Sequence, residues 1–434
     1  MWTRDAVLAL APDAGSVSAA AKLVGSVSAD GCDDGAVWGL CAGSGKTPYQ
    51  TVVDLTGPAY KCSCPSRKFP CKHALALLLR WSAGDVPVAE RADFTTTWLE
   101  GRAAKKETPA PAERTPDPAA AAKRSERRAE RVGTGLGELD VWLTDQVRTG
   151  LAGAAQAGYA YGAATAARMV DAQAPGVASA LRRLPRAVVS GEGWTGRLLT
   201  DLALLRLLVA AHARLEDLTE DEAAVVRAHV GYPVRAEDVL ASEPLRDHWA
   251  VTGVRDVVAD NLTARRVWLR GRRTGHAALV LTFTPSGQSP DTSLPAGTVV
   301  DADLHFHPGT PELRAVVGTR YAAPVALTDL APGSARDAVG EFQRAVSLDP
   351  WTRHWPVVVS GLVPVAVPAA AGPGFALTGP DGTLPVDVGG ADVWRLLAVS
   401  GGHPVTVAGE LGDRGLRPTG VLGGGPGDRR WVTL

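Results

Sequence analysis

The chain has 434 residues, room for roughly two to four domains, with 45% hydrophobic and 21% charged residues. A formal net charge of −1 excludes a protein that binds polyanions through bulk charge. With 48 glycines and 31 prolines, many turns and strands are expected rather than one long bundle.

Methionine is scarce beside Ala, Gly, Arg and Val, as in chains from GC-rich bacterial genomes. The opening residues include Arg4 and Asp5 in a short apolar run, so no signal peptide is expected and a cytoplasmic setting is. There Cys32 and Cys41 stay reduced as ordinary buried cysteines. The first 100 residues read as one small domain. A short helix is expected over 16–23, with strands over 36–41 and 49–55. Gly45-Lys46-Thr47 between those strands imitates the end of a phosphate loop. However, Leu40 stands where the first glycine belongs and Pro48 where a helix should begin, so no nucleotide site is expected.

The stretch Cys62-Ser63-Cys64-Pro65-Ser66-Arg67-Lys68-Phe69-Pro70-Cys71-Lys72-His73 is the densest chemistry in the chain. It reads C-x-C, six residues, then C-x-H, a structural Cys₃His zinc set. Residues two apart diverge on a helix, so Cys62 and Cys64 need a strand end or loop, which Pro65 favours. Cys71 and His73 converge at a helix start, where Pro70 restricts the entering backbone. An apolar helix from Ala74 to Trp81 follows. All four ligands are local, so the expectation is one structural zinc ion rather than a catalytic one with an open position. Three core cysteines beside a capping histidine would give the same letters without metal.

These residues resemble the SWIM zinc finger, and Tyr49 to Leu55 resembles the strand leading into that motif. The longer chain resembles actinobacterial SWIM-finger proteins. The resemblance implies zinc binding and an interaction role towards protein or DNA. It further implies a companion of a MoxR-type AAA+ ATPase and a von Willebrand factor A-domain (VWA) protein.

Residues 101–132, with prolines at 109, 111, 116 and 118, read as a disordered linker that includes a basic tract diluted by Glu126 and Glu130. Residues 133–247 read as helical. Leu136, Leu139, Leu143 and Val147 keep helical spacing, 160–173 and 198–215 form further helices, and Thr219 with Glu222 makes a capping box. Asp201, Arg206 and His212 disqualify 198–213 as a membrane span. Residues 248–434 read as β-rich, with strands at 266–269, 277–283, 298–306, 314–318, 356–359, 403–409 and 430–434, and one helix over 334–345. Residues 355–379 carry no charge, but Pro356, Pro364, Pro368 and Pro373 suit strands and turns, so no membrane segment is expected. The fold class is therefore an α+β multidomain chain.

Two functions follow. The first is a zinc-binding interaction module, its partner-binding residues being Lys61, Arg67, Lys68 and Lys72, because no acid occurs between Asp54 and Asp85. The second is a metal-dependent enzyme. Alternation puts Asp301, Asp303, His305 and His307 on one strand face, where they can hold a metal or simply form a polar outer face. No G-x-S-x-G or H-E-x-x-H supports catalysis, and the interaction module is the preferred reading.

Overall fold

The computed structural model describes every residue except 1, 12–13, 44–46, 57–58, 67, 69, 108–117, 260–261, 286–289, 370–371, 390–391 and 425–428. The architecture is α+β: a finger, a helical middle and a β-rich C-terminal part. Among the described residues no helix is long and apolar enough to cross a membrane.

The finger starts with helices α1 (Arg4–Ala9) and α2 (Ala14–Ala21). A four-stranded antiparallel sheet follows in order β1 (Val27–Cys32), β2 (Ala36–Cys41), β3 (Tyr49–Asp54) and β4 (Ala59–Cys62). Helix α3 (Lys72–Ser82) lays Leu75, Leu77 and Leu78 on one sheet face. Helix α4 (Asp93–Glu107) lays Phe94, Trp98 and Leu99 against Trp38 and Val52 on the other. The sheet thus lies between two helices and buries apolar residues on both faces.

Helix α5 (Pro118–Thr149) begins inside the stretch expected to be a linker, and α4 occupies residues 101–107 of it; 108–117 lie outside the described residues. Large apolar residues are scarce there, yet alanine favours helix, proline fits its first position, and Arg128 anchors it by donating to Gln173 O and Gly231 O at 3.1 Å each. Val132, Leu136, Leu139 and Leu143 then enter a common core. That core is completed by α6 (Ala152–Ala157), α7 (Ala163–Asp171), α8 (Pro175–Leu181), α9 (Leu184–Val188), α10 (Trp194–His212) and α11 (Glu220–Val230). The capping box of Thr219 and Glu222 opens α11. The short α12 (Ala236–Leu240) leads into the β-rich part, which begins at Leu245, three residues before the expected boundary of 248.

That part is two barrels of one design. The first uses β5 (Leu245–Ala259), β6 (Leu262–Gly271), β7 (Ala277–Pro285), β8 (Thr298–Phe306) and β9 (Arg314–Arg320), with β10 (Val325–Ala326) beside β8. The strands β5, β6 and β7 form an antiparallel meander, β7 pairs with β9 in parallel, and β8 joins β9 to β5. The ring is closed in the order first, second, third, fifth, fourth.

Helix α13 (Ala335–Leu348) precedes the second barrel. There β11 (His354–Ala369), β12 (Gly372–Gly379) and β13 (Gly382–Pro385) form the meander. Helix α14 (Val393–Ser400) follows, and then β14 (Val405–Gly412), β15 (Gly415–Gly423) and β16 (Arg430–Thr433). A parallel bridge from Val386 to Leu416 closes the same ring. This is the topology of an OB-type Greek-key barrel, repeated. In both, the long first strand bends at a bulge, between Val251 and Gly253 or between Val359 and Leu362. The barrels touch so closely at the first bulge that a side chain on Gly253 would meet Thr419 Cβ at 2.5 Å.

Indole N–H groups pin the junctions. Trp2 donates to Pro324 O at 3.1 Å between finger and first barrel. Trp268 donates to Glu410 Oε1 at 3.2 Å between the barrels. Trp351 donates to Leu204 O at 2.9 Å between the helical region and the second barrel's lead-in.

Candidate metal centre

The finger's fold brings four side chains to one point. Cys62 is the last residue of β4, Cys64 lies in the bend after it, Cys71 is the N-cap of α3 and His73 stands in its first turn. One ligand atom from each lies within 4.8 Å of all the others. His73 Nδ1 is 3.7 Å from Cys62 Sγ and 4.0 Å from Cys71 Sγ. Tetrahedral zinc, with bonds of about 2.3 Å to sulfur and 2.0 Å to nitrogen, needs ligand separations of roughly 3.5–3.8 Å. Only a small contraction onto the ion is required.

The backbone is arranged for thiolates. Cys62 Sγ accepts from the Cys64 N–H, Cys64 Sγ from Ser66 and Cys71 Sγ from Ala74 at the helix N-terminus. Donors to a charged acceptor make strong hydrogen bonds, and the helix end adds a favourable dipole. Without a cation the sulfurs share protons. The hydrogen bond from Cys71 pulls the Cys62 thiol down to about 5, while that bond and then burial push Cys71 up. Burial pushes Cys64 up. Metal binding must release these protons, so it weakens as pH falls. The donor set, spacing and N–H donors all fit zinc, and Cys62, Cys64, Cys71 and His73 are positioned to bind one ion. When bound it would act as a structural cross-link, because four protein ligands complete its usual shell.

Two supporting residues escaped the sequence. Thr51, fully buried, pairs with Cys62 across β3 and β4 and brings Oγ1 to 3.2 Å from Cys62 Sγ. A thiolate can only accept, so Thr51 donates to it. The buried Cys41 thiol hydrogen-bonds Thr51 and lies 3.8 Å from His73 O, so it backs the metal site rather than merely filling core. Without the β3–β4 register neither contact can be read from the chain.

Lys61, Lys68 and Lys72 are exposed around the centre, while Arg67 lies outside the described residues. Arg80, at 2.7 Å from Asp30, is neutralised by an ion pair. The second constellation does not converge. Alternation is right, with Ala302, Leu304 and Phe306 in the barrel core. Asp301 is bound by Arg246 through two hydrogen bonds of 3.1 and 3.0 Å. Asp303 accepts from Tyr321 Oη at 2.7 Å, and His305 Nδ1 lies 2.9 Å from Ser242 O. His307 faces clefts near the barrel end. Asp301, Asp303 and His305 each take a partner from a different element. Among the described residues the finger tetrad is the only group of three or more Cys, His, Asp or Glu residues placed to hold a metal.

Comparison with known families agrees with this geometry. Residues 52–82 match the SWIM zinc finger, and residues 127–230 match the SWIM-associated four-helix bundle domain. No curated protein and no solved structure matches the chain.

Proposed function

From a chain that carries a SWIM zinc finger beside its associated bundle, we propose an interaction protein whose finger presents a zinc-held basic loop to a partner protein. The observation that carries this is the complete four-ligand set, which spends the metal on holding the loop between Cys62 and Cys71. Lys61, Lys68 and Lys72 stand exposed on and beside that loop, and Arg67 belongs to the same stretch. Such a small patch on a near-neutral chain suits an acidic protein face better than a polyanion. An AAA+ ATPase or VWA-domain protein is the partner class implied by the resemblance, with this chain as adaptor.

The test is affinity purification from native lysate with wild type and a Lys61→Glu/Lys72→Glu variant, followed by identification of what is retained. The expected result is a protein partner kept by wild type and lost by the variant, with one zinc per chain in both. Retention by both chains would overturn the reading. So would binding confined to DNA or RNA that falls steeply with salt.

A further inference from the structure

The meander of the first barrel has an outer face that the second barrel covers at one end only. Pairing is unbroken from Gly253 to Ala259 in β5 and from Leu262 to Arg270 in β6, so the rows across β5, β6 and β7 are fixed. Val254, Val267 and Val280 form one row and point into the barrel core. Alternation therefore turns the next row outward, and every second row after it. Arg255, Arg266 and Leu281 make the first outward row, Val257, Ala264 and Phe283 the second, and Leu262 with Pro285 belongs to the third. Trp268, two residues from Arg266 on the same face, is covered by Glu410 of the second barrel.

Beyond the covered end the face is open and apolar. Val257, Leu262 and Phe283 are 45%, 46% and 57% exposed, and they are neighbours rather than scattered single residues, which marks a contact surface. Arg255 and Arg266 form the border between the covered and open parts. Both reach the same carboxylate, Glu410, at 3.6 and 3.9 Å, and the Trp268 N–H takes it as well. Neither arginine makes a side-chain hydrogen bond or a further ion pair among the described residues. Two guanidinium groups against one carboxylate leave a positive charge unmatched beside the apolar strip. Strand β6 is paired on both sides, so an occupant cannot join it as a strand and must dock through side chains, as a helix does on a sheet. Successive outward rows lie about 6.6 Å apart, close to the rise of roughly 6 Å over four helical residues. Two of the three exposed side chains are aliphatic, which suits leucines and offers nucleic-acid bases little to stack on.

We propose that this face docks an acidic amphipathic helix of a partner protein, laid along β6 as a continuation of the contact between the barrels. One carboxylate of the helix meets Arg255 and Arg266. Leucines four and eight positions further on cover the row of Val257 and Phe283 and then Leu262. The apolar rows supply the buried area, and the charge at one end sets the direction of the helix. The inference adds a second docking face to the interaction role above and uses none of the finger loop.

The test is fluorescence anisotropy of the full chain against labelled Ala/Gln helical peptides that carry the pattern Glu-x₃-Leu-x₃-Leu. Binding should be lost when the glutamate becomes lysine and when it is moved two positions, to the far side of the helix. Phe283→Asp and Leu262→Asp, at exposed positions, should each weaken binding about tenfold or more. Arg266→Glu should do the same, and Arg266→Lys should keep part of it. Zinc content and circular dichroism verify that each variant is folded. Equal binding by the lysine twin, undiminished binding by Phe283→Asp, or no binding by any of the peptides would overturn the proposal. So would oligothymidylate that displaces the peptide and itself depends on Phe283, which would make the face a nucleic-acid site. The Lys61→Glu/Lys72→Glu chain should bind the peptide as wild type does, so failure of the finger reading is distinguished from failure of this one.

Discussion

The finger and the barrels solve one problem in two ways. A small sheet has edges that must be paired, covered or tied down. The finger leaves its four strands open and ties the end of β4 to the start of α3 through Cys62, Cys64, Cys71 and His73. Each barrel instead joins its own strands into a ring. The difference teaches where reversibility lies. A metal cross-link can be undone locally by a chelator or by protons, while a closed ladder opens only when the barrel unfolds. The finger is not helpless without metal, because Leu75, Leu77 and Leu78 stay buried under the sheet.

The largest effect should come from removing the cross-link. Cys64→Ala is expected to take zinc from one equivalent towards none by elemental analysis. Hydrogen exchange should accelerate between residues 62 and 75 and stay unchanged in both barrels. Loss of protection in the barrels would break the comparison. Next in size is a challenge to the ring. A side chain on Gly420 would lie 2.1 Å from the Trp431 indole, which is buried between the barrels. Gly420→Val should cost about 1–3 kcal/mol in urea unfolding, with zinc retained. Thr51→Val sharpens the metal side, since it removes the donor to Cys62 without changing shape. Chelator competition should show zinc affinity lower by about 10–100-fold.

The smallest effect concerns the first barrel's turn. Burial alone would raise the Asp247 carboxyl. Hydrogen bonds from the Thr274 hydroxyl and from the N–H groups of Thr274, Arg273 and His248 outweigh it and hold the carboxyl below its ordinary value. A depressed folded value stabilises above the unfolded one, about 3.9, and that stability is lost as pH falls through the folded value. Asp247→Asn should therefore cost about 1–2 kcal/mol at pH 7 and progressively less below pH 4. An equal cost at both pH values would show that shape, not charge, is at work.

The metal centre was legible because its ligands are neighbours in sequence and the chemistry fixes their spacing. So was β8, whose alternation marks residues 298–306, and the capping box at Thr219. Strand β5 was not, because Arg246, Asp247, Arg255 and Asp256 break the apolar pattern and find their partners on neighbouring strands, in the turn after β6 and, for Arg255, in the other barrel. Strands β12 and β15 are rich in glycine and proline, which reads as turns. Ring closure was out of reach: its deciding contact joins Val280 to Ala315, a parallel pairing that no local pattern announces. Likewise, the polar face of β8 was correctly placed, but burial of Asp303 and His305 depends on Tyr321 and Ser242, which lie far away in sequence.

The tryptophans at the junctions have an optical consequence. Trp2, Trp268 and Trp351 each report on a different boundary, and each indole proton is engaged only while that boundary is intact. Opening a joint exposes its ring to water and should redden its emission. The chain has twelve tryptophans, so the emission lost when one of these three is replaced by phenylalanine is the colour gauge for its joint. Read during a denaturant ramp, three such replacements would give the order in which the modules part company.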